Sequence, residues 1–233
     1  MDDDRRRSLA TGVLFLLTFV TSIPGALLYG PVLSDPGFVH RHAGAGSVLA
    51  GALLELGLIV ANLGTALVLY PVLRRTTPSL ALAYVVARVM ECTLIAVGIL
   101  SLLTVVTLQE DGVTGAGPIA AALVALHGWT FLLGPGFVVG LGNGLILGLA
   151  LHRSGLVPCG WAVLGMVAGP LVSLSGVAVL LGAYGQVSPW SALLTLPEVV
   201  WELFLGVYLT VHGFRRGATT TGERAGLRAR ATS

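Results

Sequence analysis

The sequence predicts an all-α, polytopic transmembrane helix bundle with six spans. Hydrophobic residues make up 55% of the 233 residues and charged residues only 10%, whereas a soluble domain carries about 25% charged residues. The mean hydropathy is +0.90. Six apolar runs are also as long as the roughly 20 residues that a helix needs to cross a bilayer. A membrane lipid bilayer is therefore the expected environment, in a multi-pass protein of the cell membrane.

The first apolar run follows three arginines, as a signal peptide does, but it is longer than a signal h-region and lacks a clear cleavage site. We therefore interpret it as a span. The remaining runs follow at intervals that leave only short connections. The predicted spans lie near residues 9–33, 46–73, 80–107, 120–152, 160–183 and 190–213.

Three segments divide the chain: an N-terminal segment (residues 1–8), the transmembrane domain (9–216) and a tail (217–233). The tail is rich in Thr, Gly and Arg. It has too few apolar residues to offset the entropy of ordering, which predicts disorder.

The fourth span contains a glycine-proline interruption and a glycine repeat. Gly134, Pro135 and Gly136 interrupt it, and a proline removes a backbone donor, so we expect a kink or a half-helix there. Glycines also recur every four residues, which favours close packing against another helix. We favour a partner helix of the same chain over a dimer interface. These residues are Gly136, Gly140, Gly144 and Gly148.

Arginines predict the orientation, because short cytoplasmic loops are enriched in Lys and Arg. When six spans alternate, most arginines fall on one side, which places both termini in the cytoplasm. They form no basic face suited to nucleic acid, so no nucleic-acid partner is expected. The arginines on this side are Arg5–Arg7, Arg74, Arg75, Arg153, Arg215, Arg216 and those of the tail.

Five charged side chains lie within the apolar runs: Glu55, Arg88, Glu91, Glu198 and Glu202. Ionisable groups in hydrocarbon are costly, and they usually face a bundle interior and mark a functional site. Their depths along the spans overlap at about 1.5 Å per residue. We therefore expect them to share one cavity.

The spacing of these residues predicts particular partners. Arg88 and Glu91 are three residues apart on one helix face and can pair directly, with Tyr84 four residues before Arg88. Asn62 shares a face with Glu55, seven residues away. Structural pairing and substrate binding both remain open for this group.

Glu198 and Glu202 are four residues apart on the last span, with Trp201 near the same face. Two carboxylates this close in a low dielectric do not both ionise readily, so one should retain a proton. Such a group is a candidate general acid. The alternative is that one glutamate bridges helices while the other pairs with Arg88.

His127, Trp129 and Phe131 precede the glycine-proline interruption and are candidates for an aromatic wall of the cavity. A lone histidine at a helix end is more often an interfacial residue with its own partners.

Cys92 and Cys159 lie in separate apolar segments, which supports neither a disulfide nor a metal site. No metal or other cofactor is expected.

Three runs of the sequence are LYPVLRRTTPSLALAYVVARVMECTLIAVG, FLLGPGFVVGLGNGLILGLALHRSGLVP and LPEVVWELFLGVYLTVHGF. They resemble a bacterial family of integral membrane proteins catalogued as domain of unknown function 4386. The likeness covers nearly the whole chain and implies an all-helical membrane fold. The residues that match the family's pattern are Glu55, Arg88, Glu91 and Glu202, whereas Glu198 departs from it.

Motifs for hydrolysis, nucleotide binding and metal-diphosphate chemistry are absent from the sequence. One interpretation is a membrane-bound, terpene cyclase-like enzyme that cyclises an isoprenoid after protonation by Glu202, Glu55 or Glu198. Its substrate would be a lipophilic small molecule, with Trp201 and Trp129 stabilising a carbocation. The alternatives are a proton-linked carrier and a structural or regulatory membrane protein whose charges fix helix packing.

Overall fold

The computed structural model describes residues 3–41 and 43–215, and these residues are helical apart from short connections. Six helices within them are long and apolar enough to cross a membrane. The predicted disordered tail lies outside the described residues. The helices are α1 (Asp3–Leu28), α2 (Gly30–Ser34), α3 (Ala45–Leu73), α4 (Pro78–Glu110), α5 (Gly117–Phe131), α6 (Leu147–Ser154), α7 (Cys159–Leu180) and α8 (Pro189–Val211).

The first span begins at Asp3, not near Leu9, and ends at Leu28. The arginines that precede the apolar run are thus part of the helix. Arg5 donates hydrogen bonds to the carbonyl oxygens of Leu209, Thr210 and Val211. A cation is favourable at that position, because the last carbonyls of α8 are otherwise unpaired.

The fourth span is continuous from Gly117 to Ser154 and differs from the predicted kink or half-helix. Between α5 and α6 the backbone forms two π-helical segments, Leu132–Val138 and Gly140–Ile146. Pro135 cannot donate the usual backbone hydrogen bond. The helix widens around it instead of breaking.

The six spans form a ring in chain order. α1 packs against α3, α3 against α4, and α4 against the fourth span, which packs against α7. α7 then contacts α8, and α8 returns to α1. Large apolar side chains on the outside of the ring, such as Leu53 and Val60, are about 70% exposed. The outer surface therefore suits lipid.

Two contacts between the described chain ends and the connections show that the spans alternate in direction. Arg75 bonds Asp4, and the backbone nitrogen of Arg215 bonds Leu156. These contacts put the α3–α4 and α6–α7 connections beside both described chain ends, on what we call the terminal side. The opposite connections, within 29–41, 43–44, 111–116 and 181–188, form the loop side. Which side faces the cytoplasm remains a prediction.

Candidate functional site

A cavity of about 370 Å³ lies inside the ring and touches all six spans. Glu55, Arg88, Glu91, Glu198 and Glu202 all contribute to its wall. The rest of the wall is mainly apolar, and Gln186 and Ser191 line its end on the loop side. The structure thus brings all five charged side chains of the spans to one shared cavity.

The cavity ends before the terminal side, because α1 and α8 pack closely there. A Cβ atom at Gly12 would lie 2.7 Å from the carbonyl oxygen of Gly206. Phe15 and Leu209 are fully buried in the same region. Arg88, which lies over the Phe15 ring, is therefore near the closed end of a pocket that extends towards the loop side. Glu55 lies nearer the loop side, beside Gly25 in the last turn of α1.

Arg88 is buried, and two of its three guanidinium nitrogens have partners. Its Nη1 atom is 2.7 Å from Glu91 Oε2, and its Nε atom donates to the Tyr84 hydroxyl at 3.2 Å. Asn62 Nδ2 donates to the other Glu91 oxygen at 3.1 Å, and Thr65 lies 3.1 Å from the Tyr84 hydroxyl. This network joins α3 to α4, and the opposite charges of Arg88 and Glu91 neutralise each other.

Glu55 lies on a different part of the wall from Asn62. Its Oε2 atom accepts a hydrogen bond from the Tyr29 hydroxyl at 2.9 Å. Tyr29 is buried and follows α1 directly. Glu55 thus has a neutral donor and no basic partner among the described residues.

Glu202 and Asn143 connect α8 to the second π-helical segment. Asn143 Nδ2 donates to Glu202 Oε1. The backbone oxygen of Asn143 accepts a hydrogen bond from Trp201 Nε1 at 3.0 Å. The widened helix therefore offers α8 both a side-chain donor and a backbone acceptor.

Glu198 is only 3% exposed, and neither carboxyl oxygen has a hydrogen-bond partner among the described residues. The only other buried side-chain polar atom there without a partner is Asn143 Oδ1. Gly144 brings the backbone close to Glu198, since a Cβ atom added to it would lie 2.6 Å from Glu198 Oε2. Buried polar groups are nearly always hydrogen-bonded, so these three oxygens are exceptional.

Neither tryptophan lies where the sequence interpretation placed it. Trp129 is 51% exposed on the surface of the bundle. Trp201 is fully buried, but its ring packs against Gly165 of α7, away from the cavity wall. Helix periodicity alone did not show that a glycine of α7 makes room for this indole.

The predicted aromatic wall is only partly present. Phe131 lines the cavity, together with Phe19 of α1. His127 is buried behind the wall, where its ring meets Tyr29 edge-on with centroids 5.4 Å apart. Its Nδ1 atom lies 3.3 Å from the carbonyl oxygen of Gly98. His127 has its own partners and does not reach the charged groups.

Sequence reasoning missed Asn143, Tyr29 and Thr65. Asn143 stood out as a polar residue between two glycines of an apolar span, which is a signal that could have identified it. Tyr29 and Thr65 carried no comparable signal. Tyrosine is common at span ends, and Thr65 has the local hydrogen bond that a helix offers any threonine.

The fold and the site define an integral membrane protein with an acidic cavity enclosed by six helices. The profile of the family described as Domain of unknown function (DUF4386) matches residues 10–213. The chain belongs to this family, as the resemblance predicted. Comparison with curated proteins and with solved structures found no match.

Proposed function

We propose that this protein is a proton-linked carrier that binds a small lipophilic molecule in its central cavity. Glu198 is the group that exchanges a proton when the molecule binds. The cavity volume of about 370 Å³ lies within the range of about 300–1,000 Å³ usual for small-molecule sites. Its mainly apolar wall suits a ligand that enters from, or resembles, lipid.

The observation that carries the proposal is the unpartnered carboxyl group of Glu198. A buried carboxylate without donors is costly, so the group holds its proton while the cavity contains no ligand. A ligand that donates to the carboxyl group, or carries positive charge, favours the ionised form. Binding and proton release are then linked, and each promotes the other.

The lack of hydrogen-bond partners for Glu198 in the described part of the chain also argues against a purely structural role for this residue. Arg88 and Glu91 have the satisfied partners expected of charges that hold helices together. Glu198 contributes no such bond, yet it lines the cavity. A buried carboxyl group that holds no helix pair together but faces the cavity supports a role in binding.

Infrared difference spectroscopy tests the protonation of Glu198. Wild type minus Glu198→Gln at neutral pH should show the carbonyl band of a protonated carboxyl group in an apolar environment. Glu110→Gln is the matched control, because Glu110 is an exposed glutamate at the end of α4, and it should leave that band in place.

Transport is tested in proteoliposomes that contain a pH-sensitive dye. Lipophilic candidate compounds are added on one side, and proton movement that depends on the compound is recorded. Wild type and Glu110→Gln should show coupled movement, whereas Glu198→Gln should not. Equal coupled transport by Glu198→Gln and wild type would refute the proposal.

A second candidate is the terpene cyclase-like enzyme, with Glu198 or Glu202 protonating an isoprenoid. The observation that favours it is the position of Phe19 and Phe131 on the wall that also carries both glutamates, since aromatic faces stabilise cations. Incubation with prenylated substrates tests it. Cyclised product made by wild type and lost in Glu198→Gln and Glu202→Gln would favour this enzyme over the carrier.

A further inference from the structure

The charges on the cavity wall do not balance. Four glutamates and one arginine line it, and the arginine is paired with Glu91. Among the described residues, no basic nitrogen lies within 4.0 Å of a carboxyl oxygen of Glu55, Glu198 or Glu202. Charges in a membrane interior usually pair with opposite charges, so the missing positive charge must come from protons or from a ligand.

The hydrogen-bonding groups of the site do not balance either, because acceptors outnumber donors. Glu55 and Glu202 each receive a hydrogen bond from a neutral group. Both oxygens of Glu198 and Asn143 Oδ1 accept none. Of Glu198 and Asn143, only Glu198 lines the cavity, so its carboxyl group supplies the spare acceptors of the wall. A ligand that fits the cavity supplies donors and positive charge together.

From this imbalance we infer the substrate class: the cavity binds a compact lipophilic amine in its ammonium form. An ammonium group has several N–H donors and no acceptor, which matches the two unpartnered carboxyl oxygens of Glu198. The hydrocarbon body of the amine lies towards the loop side, against apolar residues such as Ile23 and Val179. This inference rests on the proposed function and specifies its substrate.

Protons compete with the amine for Glu198. The titratable groups that share the cavity wall with Glu198 are Glu55 on α3, Arg88 and Glu91 on α4, and Glu202 on α8. Described wall residues of α1, the fourth span and α7 add no charged side chain. Amine affinity should rise with pH for as long as the amine itself stays protonated, because fewer protons then occupy the carboxyl groups.

Three ligands with the same hydrocarbon cage test the inference: 1-adamantanamine, 1-adamantanol and 1-adamantanecarboxylate. Calorimetric titrations use the full chain in lipid nanodiscs, with empty nanodiscs subtracted. The amine should bind about 10-fold or more tightly than the alcohol, as expected for charge-assisted hydrogen bonds. The carboxylate should bind most weakly.

Glu198→Gln should remove the preference for the amine and leave binding of the alcohol nearly unchanged, whereas Glu110→Gln should behave as wild type. If Glu198→Gln does not fold, Glu202→Gln takes its place and should reduce the preference. Binding of the alcohol or the carboxylate as tightly as the amine would overturn the inference, and so would failure of all three to bind. An unchanged preference in Glu198→Gln would do the same.

These outcomes are separate from failure of the proposed function. Binding of 1-adamantanol as tightly as the amine, with proton release that Glu198→Gln abolishes, would refute the ammonium inference and retain a proton-linked site. An absent infrared band for Glu198 together with absent coupled transport would refute the proposed function itself.

Discussion

The charged residues of the spans fall into two groups with different energetics. Arg88 and Glu91 belong to a network in which each buried group has partners on α3 or α4. Glu198 has none. The first group stabilises the contact between two helices. The carboxyl oxygens of Glu198 remain able to accept hydrogen bonds from a ligand.

Removing one partner of the ion pair should destabilise the protein strongly. Arg88→Met leaves Glu91 buried without its counter-charge, and breaking a buried pair in this way costs about 3–5 kcal/mol. The double variant Arg88→Met, Glu91→Gln should recover much of that loss. Thermal unfolding in detergent measures both.

Arg75→Met is the control for this series, because Arg75 pairs with Asp4 in an exposed position and exposed pairs contribute about 0–1 kcal/mol. A double variant no more stable than Arg88→Met would show that the network depends on the pair itself. In that case, the burial of an unpaired charge would not explain the loss.

The spacing of three residues was sufficient to predict the pair of Arg88 and Glu91, because both lie on one helix. The partners of Glu55 and Glu202 could not be predicted in this way. Tyr29 and Asn143 lie on other elements, and which residues face one another across a bundle depends on helix rotation and depth.

At the scale of the elements, the glycines of the fourth span decide how closely α7 approaches. A Cβ atom at Gly144 would lie 2.6 Å from the backbone nitrogen of Gly169. At Gly148 it would lie 2.9 Å from the nitrogen of Met166. The glycine row therefore packs within the chain, and small residues let helix backbones approach closely.

Gly144→Ala should push α7 and the fourth span apart and destabilise the protein by about 1–3 kcal/mol, as overpacking does. It should also disturb ligand binding, because the added methyl group meets the Glu198 carboxyl group. Thermal unfolding and calorimetry measure the two effects.

Gly128→Ala is the matched control in the same span, since an added Cβ atom there meets nothing within 4 Å. It should be neutral or stabilising by up to about 1 kcal/mol. Equal stability of Gly144→Ala and Gly128→Ala would contradict the close contact with α7.

Proline and glycine marked the place of the irregular helix correctly, but not its form. Pro135 identifies a missing donor in any helix. Whether the backbone then kinks or widens depends on its neighbours. Here Gly169 and Ser173 of α7 lie against Gly140, and this packing accompanies a continuous π-helical span.

For the whole molecule, the ring of six spans places the terminal side opposite the loop side. The arginines of the connections collect on the terminal side, which predicts that this side faces the cytoplasm. The cavity then extends towards the external side, because Gln186 and Ser191 line its end.

Cysteine labelling of intact cells tests this orientation. In a Cys159→Ser background, Val187→Cys on the loop side should react with a membrane-impermeant maleimide. Thr76→Cys on the terminal side should react only after permeabilisation, because the reagent does not reach the cytoplasm. Both positions are exposed. The reverse pattern would contradict the orientation and would place the cavity mouth on the cytoplasmic side.

The sequence by itself determined the membrane class, the number of spans and the charged residues within them. These properties follow from composition and local periodicity, which each segment carries alone. Only the tertiary structure decided that Glu55 bonds Tyr29, that Trp201 lies outside the cavity wall and that Glu198 has no partner among the described residues. Such outcomes depend on contacts between distant segments, and no single helix contains the information that sets its rotation against its neighbours.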